Sequence, residues 1–256
     1  MALRVALTGQ VGIEAGGQLV GTAGLGRLGR VALAYLACHR DRPVARGELA
    51  EALWGEDLPR TWETSLRVVV SKLRTWLEGA GLGREDAVAS AHGTYQLRLP
   101  PGAVVDVEEA AGALAAAQAA LAGGDATAAL PAALAAADVA ARDFLPGEVG
   151  TWVERRQDEL RELRLAALEV AAGAALAAGD AGAAAAAADE AVGLAPLRES
   201  AHLLLVRARA AAGNRGEALR AYERLRHTLA EELGVSPSAE AEAVYLGLLG
   251  EEPGGT

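Results

Sequence analysis

The chain has 256 residues, 52% of them hydrophobic but only 4% aromatic, with 34 acidic against 24 basic side chains and a formal net charge of −10. That length holds one large or two ordinary domains, and the single cysteine, Cys38, leaves no intrachain disulfide and no thiolate metal site. The opening "MALRVALTGQVG" lacks a signal-peptide pattern, and no uncharged run approaches the roughly 18 strongly apolar residues of a membrane span, so a soluble, cytoplasmic protein with no membrane partner is expected.

"LRVALTGQVGIEAGGQLV", Leu3 to Val20, alternates apolar and small residues and is interrupted by Gly16-Gly17, as short antiparallel strands joined by turns would be. Gly24, Gly26 and Gly29 then spell G-x-G-x-x-G before an apolar stretch. Dinucleotide binding needs that loop between a buried parallel strand and a helix, with a second strand following. Glycine-broken hairpins precede it here and no second strand follows, so a turn into the first helix is the better reading and no cofactor is expected. "RVALAYLACH", Arg30 to His39, predicts that helix, with Leu33, Leu36, Ala37 and, as a small core residue, Cys38 inward. "RPVARGELAEALWG" predicts a second helix, with Pro43 near its start and Gly55 after its end. "TWETSLRVVVSKLRTWLEGAGL" predicts a third, over 62–78, stopped by Gly79 and Gly81. "AVASAHGTYQLRL" reads as a hairpin turning at His92-Gly93, and Pro100-Pro101-Gly102 closes the segment. Strands, three helices and a hairpin in this order describe a winged helix-turn-helix.

Beyond Asp106 the composition shifts. Residues 1–105 hold 12 basic and 10 acidic side chains, whereas residues 106–256 hold 12 and 24. The contrast points to two domains with different partners, composition drift being the plainer alternative. "AAGDAG" at 177–182 recurs as "AAGNRG" at 211–216, an offset of 34 residues that aligns Ala184 and Ala187 with Ala218 and Ala221. That period, with small residues at the crossings, marks tetratricopeptide-like helix pairs; "AGGD" at 122–125 begins a less regular one. The expected fold is therefore mainly α with a small α+β N-terminal domain: a winged helix-turn-helix over 1–102, a tetratricopeptide-like repeat domain over 103–250 and a disordered tail at 251–256.

The third helix carries the most chemistry. Leu66, Val69, Val70, Leu73 and Leu77 fall on one face, and Arg67, Ser71 and Arg74 on the other, with Thr64, Val68 and Lys72 beside them. Arginine grips guanine bidentately, Ser and Thr reach bases or phosphates, and valine meets a thymine methyl. Alone, such a face is more often merely solvated. A preceding helix and a following wing turn the odds toward double-stranded DNA, with Arg40, Arg42 and Arg46 as phosphate contacts that position without specifying.

"RVALAYLACHRDRPVARGELAEALWG", "TSLRVVVSKLRTWL" and "HGTYQLRL" resemble the OmpR-type winged helix in its actinobacterial antibiotic-regulator form. "LPGEVGTWVERRQDELRELRLAALE", "GEALRAYERLRHTLAEELGVSPS" and "YLGLL" resemble the bacterial transcriptional activation domain that accompanies it. The resemblance spans about 3–250. It implies a sequence-specific transcriptional activator that binds promoter repeats as a homodimer and contacts RNA polymerase through its helical domain. It places the recognition positions on Thr64, Arg67, Val68, Ser71, Lys72 and Arg74, and the wing on His92, Gly93 and Thr94. Two departures stand out: Ala45 occupies the N-cap position where the family often has Ser or Thr, and "AHGTYQL" is poorer in glycine and positive charge than a usual wing tip.

No catalytic constellation or metal-ligand spacing is present, so an enzyme is not expected. His202 and His227 are expected at a surface or interface. Trp152 reads either as an anchor between helix pairs or as a dimer hot spot. The rival to a DNA-binding regulator is a helical scaffold with a degenerate winged helix.

Overall fold

The computed structural model describes residues 3–250, the side chains of residues 84 and 85 excepted; the tail at 251–256 lies outside the described residues. The chain divides into two compact units: Met1–Ala111 with Val139–Glu162, and Gly112–Asp138 with Leu163–Thr256.

In chain order the first unit runs β1 (Leu3–Ala6), β2 (Gly12–Ala15), β3 (Gln18–Gly21), α1 (Arg27–Cys38), β4 (Val44–Ala45), α2 (Arg46–Trp54), α3 (Trp62–Gly79), α4 (Arg84–Ala87), β5 (Val88–Ala91), β6 (Thr94–Leu97) and β7 (Val104–Val105), and then enters α5 (Asp106–Ala122). One sheet has the order β3-β2-β1-β7 and the other β4-β6-β5. The first three strands are antiparallel neighbours, as their alternation requires. The strand before α1 is β3, an edge strand antiparallel to β2, whereas a dinucleotide-binding turn follows a buried parallel strand. Gly29 packs closely on Leu25 instead: a Cβ there would lie 3.2 Å from Leu25 Cδ2, tighter than an ordinary contact.

α1 buries every residue from Val31 to Ala37, including Leu33, Leu36 and Ala37. Cys38, at its end, is only partly buried, and burial pushes its thiol up to about 11. α2 begins at Arg46, four residues inside the stretch read as helical, because Val44 and Ala45 pair with Tyr95 and Thr94. Ala45 is the N-cap and makes no side-chain cap bond. The Gly93 carbonyl accepts from the Arg46 N–H at 3.1 Å, so the wing turn satisfies one of the first-turn donors. α3 buries Leu66, Val69, Val70, Leu73 and Leu77, the five residues its periodicity selects. It ends in a Schellman closure, with Gly81 N–H on the Glu78 carbonyl and Leu82 N–H on Leu77.

After Pro100-Pro101-Gly102 the chain returns as β7 to pair in parallel with β1. Asp106, 2% exposed, then accepts from Leu7 N–H, Thr8 N–H, the Thr8 hydroxyl and Val107 N–H at 2.8–2.9 Å. Residues 139–162 complete this unit. Thr8 bridges Phe144, Leu145 N–H reaches the Leu7 carbonyl at 3.0 Å, and Glu148, with a side chain 2% exposed, binds Arg30. Trp152 packs on Tyr35 at 5.0 Å and Phe144 at 5.7 Å between ring centroids. This corrects the expectation that Trp152 anchors helix pairs: its partners lie in α1 and the 139–162 segment.

The second unit draws on α5, α6 (Ala126–Ala140) and α7 (Thr151–Ala177), and contains α8 (Ala181–Leu194), α9 (Glu199–Ala211), α10 (Arg215–Leu233) and α11 (Ala239–Gly250). The turns before α6, α8 and α10 share one design. Gly124, Gly179 and Gly213 adopt φ near +80°, and the N–H groups of Asp125, Asp180 and Asn214 close on Ala120, Ala175 and Arg209 carbonyls at 2.8–2.9 Å. Asp125 and Asp180 also cap the next helix, each accepting a backbone N–H at 2.9 Å. Ala184, Ala187, Ala218 and Ala221 are buried in a core made largely of alanine, where only small side chains permit close helix crossings.

His202 is 4% exposed, not at the surface as expected. Its Nε2–H donates to the Pro196 carbonyl at 2.9 Å, while Nδ1 is buried without a partner. Burial, and secondarily nearby Arg224, lowers its pKa. The unfolded chain therefore takes up a proton below about pH 6.5 that the folded chain refuses. Stability is intact above that pH and falls on acidification, by up to about 1.4 kcal/mol per pH unit while the folded histidine stays neutral. Urea unfolding of His202→Phe is expected to lose this part of the slope between pH 7 and 5; an unchanged slope would contradict the assignment.

Candidate nucleic-acid interface

The packing of α3 decides what is left for a ligand. With its apolar stripe buried, Thr64, Arg67, Val68, Ser71 and Lys72 are all exposed. Val68 is 51% exposed in this polar surround, the setting in which an apolar side chain is available to a thymine methyl. Arg67 is 63% exposed and lies 4.0 Å from Glu63, a surface pair of small energetic weight that leaves its guanidinium available.

Arg74 differs. It is half-buried, and its Nε and Nη2 both donate to the Val88 carbonyl, at 3.1 and 2.7 Å. The structure thus separates Arg74 from the exposed group the periodicity joined it to.

The wing is a two-residue hairpin. Ala91 pairs with Thr94, and His92 and Gly93 adopt φ of +49° and +80°, the positive pair that matches strand twist. His92 and Gly93 are exposed at the tip, and the Thr94 hydroxyl donates to the Ala91 carbonyl at 2.7 Å.

The basic residues before α3 are already engaged. Arg40 donates to Glu108 and to the Ala103 carbonyl. Arg46 lies 5.6 Å from the Tyr95 ring centroid, in cation–π range. Arg42 pairs with Glu48, which also accepts from the Tyr35 hydroxyl at 2.7 Å. The Arg42 guanidinium holds the Glu48 carboxyl down to about 2, and burial together with Glu48 pushes the Tyr35 phenol up to about 12. These pairings are not legible in the charge pattern; the Arg42–Glu48 spacing of six residues matches no helical rule, because β4 intervenes.

What these elements define is a winged helix with an exposed, partly basic face on α3, joined in one chain to stacked helix pairs. Comparison with known proteins gives the same pairing of domains. Residues 105–249 match the bacterial transcriptional activator domain and residues 25–93 match the C-terminal domain of transcriptional regulatory proteins. The chain belongs to the bacterial transcriptional activator domain family. The regulatory protein AfsR of Streptomyces coelicolor is 31% identical over 252 residues, which are 98% of this chain and 25% of AfsR. The transcriptional regulatory protein EmbR of Mycobacterium tuberculosis is 32% identical over 237 residues, 88% of this chain and 58% of EmbR. The structure of EmbR in complex with a low-affinity phosphopeptide superposes with a TM-score of 0.88 at 29% identity, covering 98% of this chain and 66% of that one. The chain therefore spans about a quarter of AfsR and somewhat over half of EmbR.

Proposed function

We propose that the chain binds double-stranded promoter DNA in a sequence-specific way and activates transcription. The observation that carries this reading is the division of α3 between a buried stripe and an exposed face of Thr64, Arg67, Val68, Ser71 and Lys72, next to a tight wing. Arg67, Ser71 and Lys72 read or approach base edges in the major groove, Val68 contacts a thymine methyl, and Thr64 reaches a base or phosphate. His92, Gly93 and Thr94 approach the flanking backbone, while Arg42 and Arg46 contact phosphates. DNA binding resides in residues 1–102, buttressed by 139–162; the rest of 103–250 forms a homodimer and meets RNA polymerase. Among the described residues no helix is long and apolar enough to cross a membrane, which fits a cytoplasmic regulator. The scaffold alternative rests on the missing cap at Ala45 and on a wing tip poor in glycine and positive charge; the Gly93 carbonyl weighs against the first by supplying a partner to the same helix end.

The Arg42–Glu48 pair gives a test with an unusual sign. Glu48→Gln removes the carboxylate that holds Arg42, so affinity for specific and random DNA is expected to rise together, by a few fold at low salt. Fluorescence anisotropy checks this; a loss of affinity in both would show that Arg42 works only when held.

A further inference from the structure

We propose that Arg74 is a positioning residue that fastens the wing to the recognition helix, an inference that rests on the DNA-binding reading above and reassigns Arg74 within it. The geometry at Val88 carries the argument. β5 is an edge strand, with β6 on one side only. The Ala87 carbonyl accepts the Arg98 N–H from the β6 side. Successive carbonyls of a strand point in opposite directions, so that of Val88 points away from β6. Val88 is fully buried, and a buried carbonyl with no partner is costly. Arg74 supplies that partner twice over, through Nε and Nη2.

The fork also holds the strand in place. Two donors from one planar group anchor that oxygen at two bonds, whereas a lysine would bring a compact ammonium on a flexible stem. Val88 is the first residue of β5, and the turn at His92 lies four residues on, roughly 13 Å at strand rise. A small rotation at Val88 is therefore magnified at the wing tip. Arg74 occupies the same helix as Arg67, so the clamp sets the wing relative to the reading face itself. Its donors to Val88 are spent inside the protein, whereas Arg67 extends from an exposed position.

Two measurements on the full chain test this. In the free protein, hydrogen exchange of the β5–β6 amides is expected to quicken about tenfold in Arg74→Ala, with the buried α3 amides unchanged and Arg74→Lys intermediate. Unaltered exchange at β5–β6 overturns the clamp whether or not DNA is bound. On DNA sites selected from a random pool, Arg74→Ala is expected to lose hydroxyl-radical protection on the flank facing the wing and about tenfold in affinity, while keeping the base preference of the wild type. Its loss is expected not to add to that of Thr94→Ala. Relaxed preference at one or two base pairs with the flank still protected would mean that Arg74 reads a base, overturning the proposal. If neither the wild type nor Arg67→Ala discriminates among sequences, the DNA-binding reading fails, and the exchange result still decides the clamp.

Discussion

Arg67→Ala is expected to lower the preference for specific over random DNA by about 5- to 150-fold, the equivalent of about 1–3 kcal/mol for one well-made bidentate base contact. Folding is expected to be unaffected, because Arg67 is exposed and its pairing with Glu63 at 4.0 Å is a surface contact worth little. The comparison variant is Arg42→Ala, which removes a proposed phosphate contact. It is expected to weaken specific and random binding alike and to reduce the salt dependence by about one counterion. Anisotropy titrations at several salt concentrations separate the two behaviours. If Arg67→Ala left discrimination intact, the recognition-helix assignment would be wrong.

Asp106→Ala is expected to be the most destabilising single change in the N-terminal unit, at about 3 kcal/mol or more, since alanine leaves several backbone and hydroxyl donors buried without partners, each at a cost of about 1–3 kcal/mol. The carboxylate takes four hydrogen bonds in a site 2% exposed, and three of them come from Leu7 and Thr8. Relaxation of the Thr8 hydroxyl offsets part of the loss. Asp106→Asn is expected to lose less, because its amide oxygen takes the place of Oδ2 and keeps the Leu7 and Thr8 donors, and its NH2 opposes only the Val107 N–H. Urea titration of both variants measures this. A loss below about 1 kcal/mol in Asp106→Ala would mean that water reaches the site and that the network contributes little.

What the sequence showed and what it hid follow from how local each signal is. The buried stripe of α3, the inward Leu33, Leu36 and Ala37 of α1 and the turn at His92-Gly93 rest on neighbours within a few residues, and each is present in the fold as read; Cys38, expected in the core, is only partly buried. The start of α2 is displaced because Val44 and Ala45 pair with Tyr95 and Thr94, far along the chain. β7 escapes a pattern reading because Val104–Val105 is too short to show alternation and is defined by its partner β1. The 139–162 segment resembles the helical half in sequence, yet it supports the winged-helix unit through Phe144, Glu148 and Trp152. Helical spacing alone sets Arg74 beside Arg67; only the Val88 carbonyl distinguishes them.

The charge contrast between the two halves has a physical consequence as well. Residues 106–256 carry twice as many acidic as basic side chains, and many of the arginines there are paired with carboxylates, as in Arg198–Glu169 and Arg164–Glu190. Such a surface repels the phosphate backbone, which under the proposed function leaves the exposed α3 face to meet DNA.

The central claim is that this exposed face reads base sequence, and selection from a random DNA pool tests it most directly, since the operator need not be known in advance. The wild-type chain is expected to enrich a defined motif, arranged as direct repeats if it binds as a dimer, and Arg67→Ala is expected to lose preference at one or two positions within it. Recovery of no motif by the wild type, or of an identical motif with undiminished enrichment by Arg67→Ala, would contradict the claim.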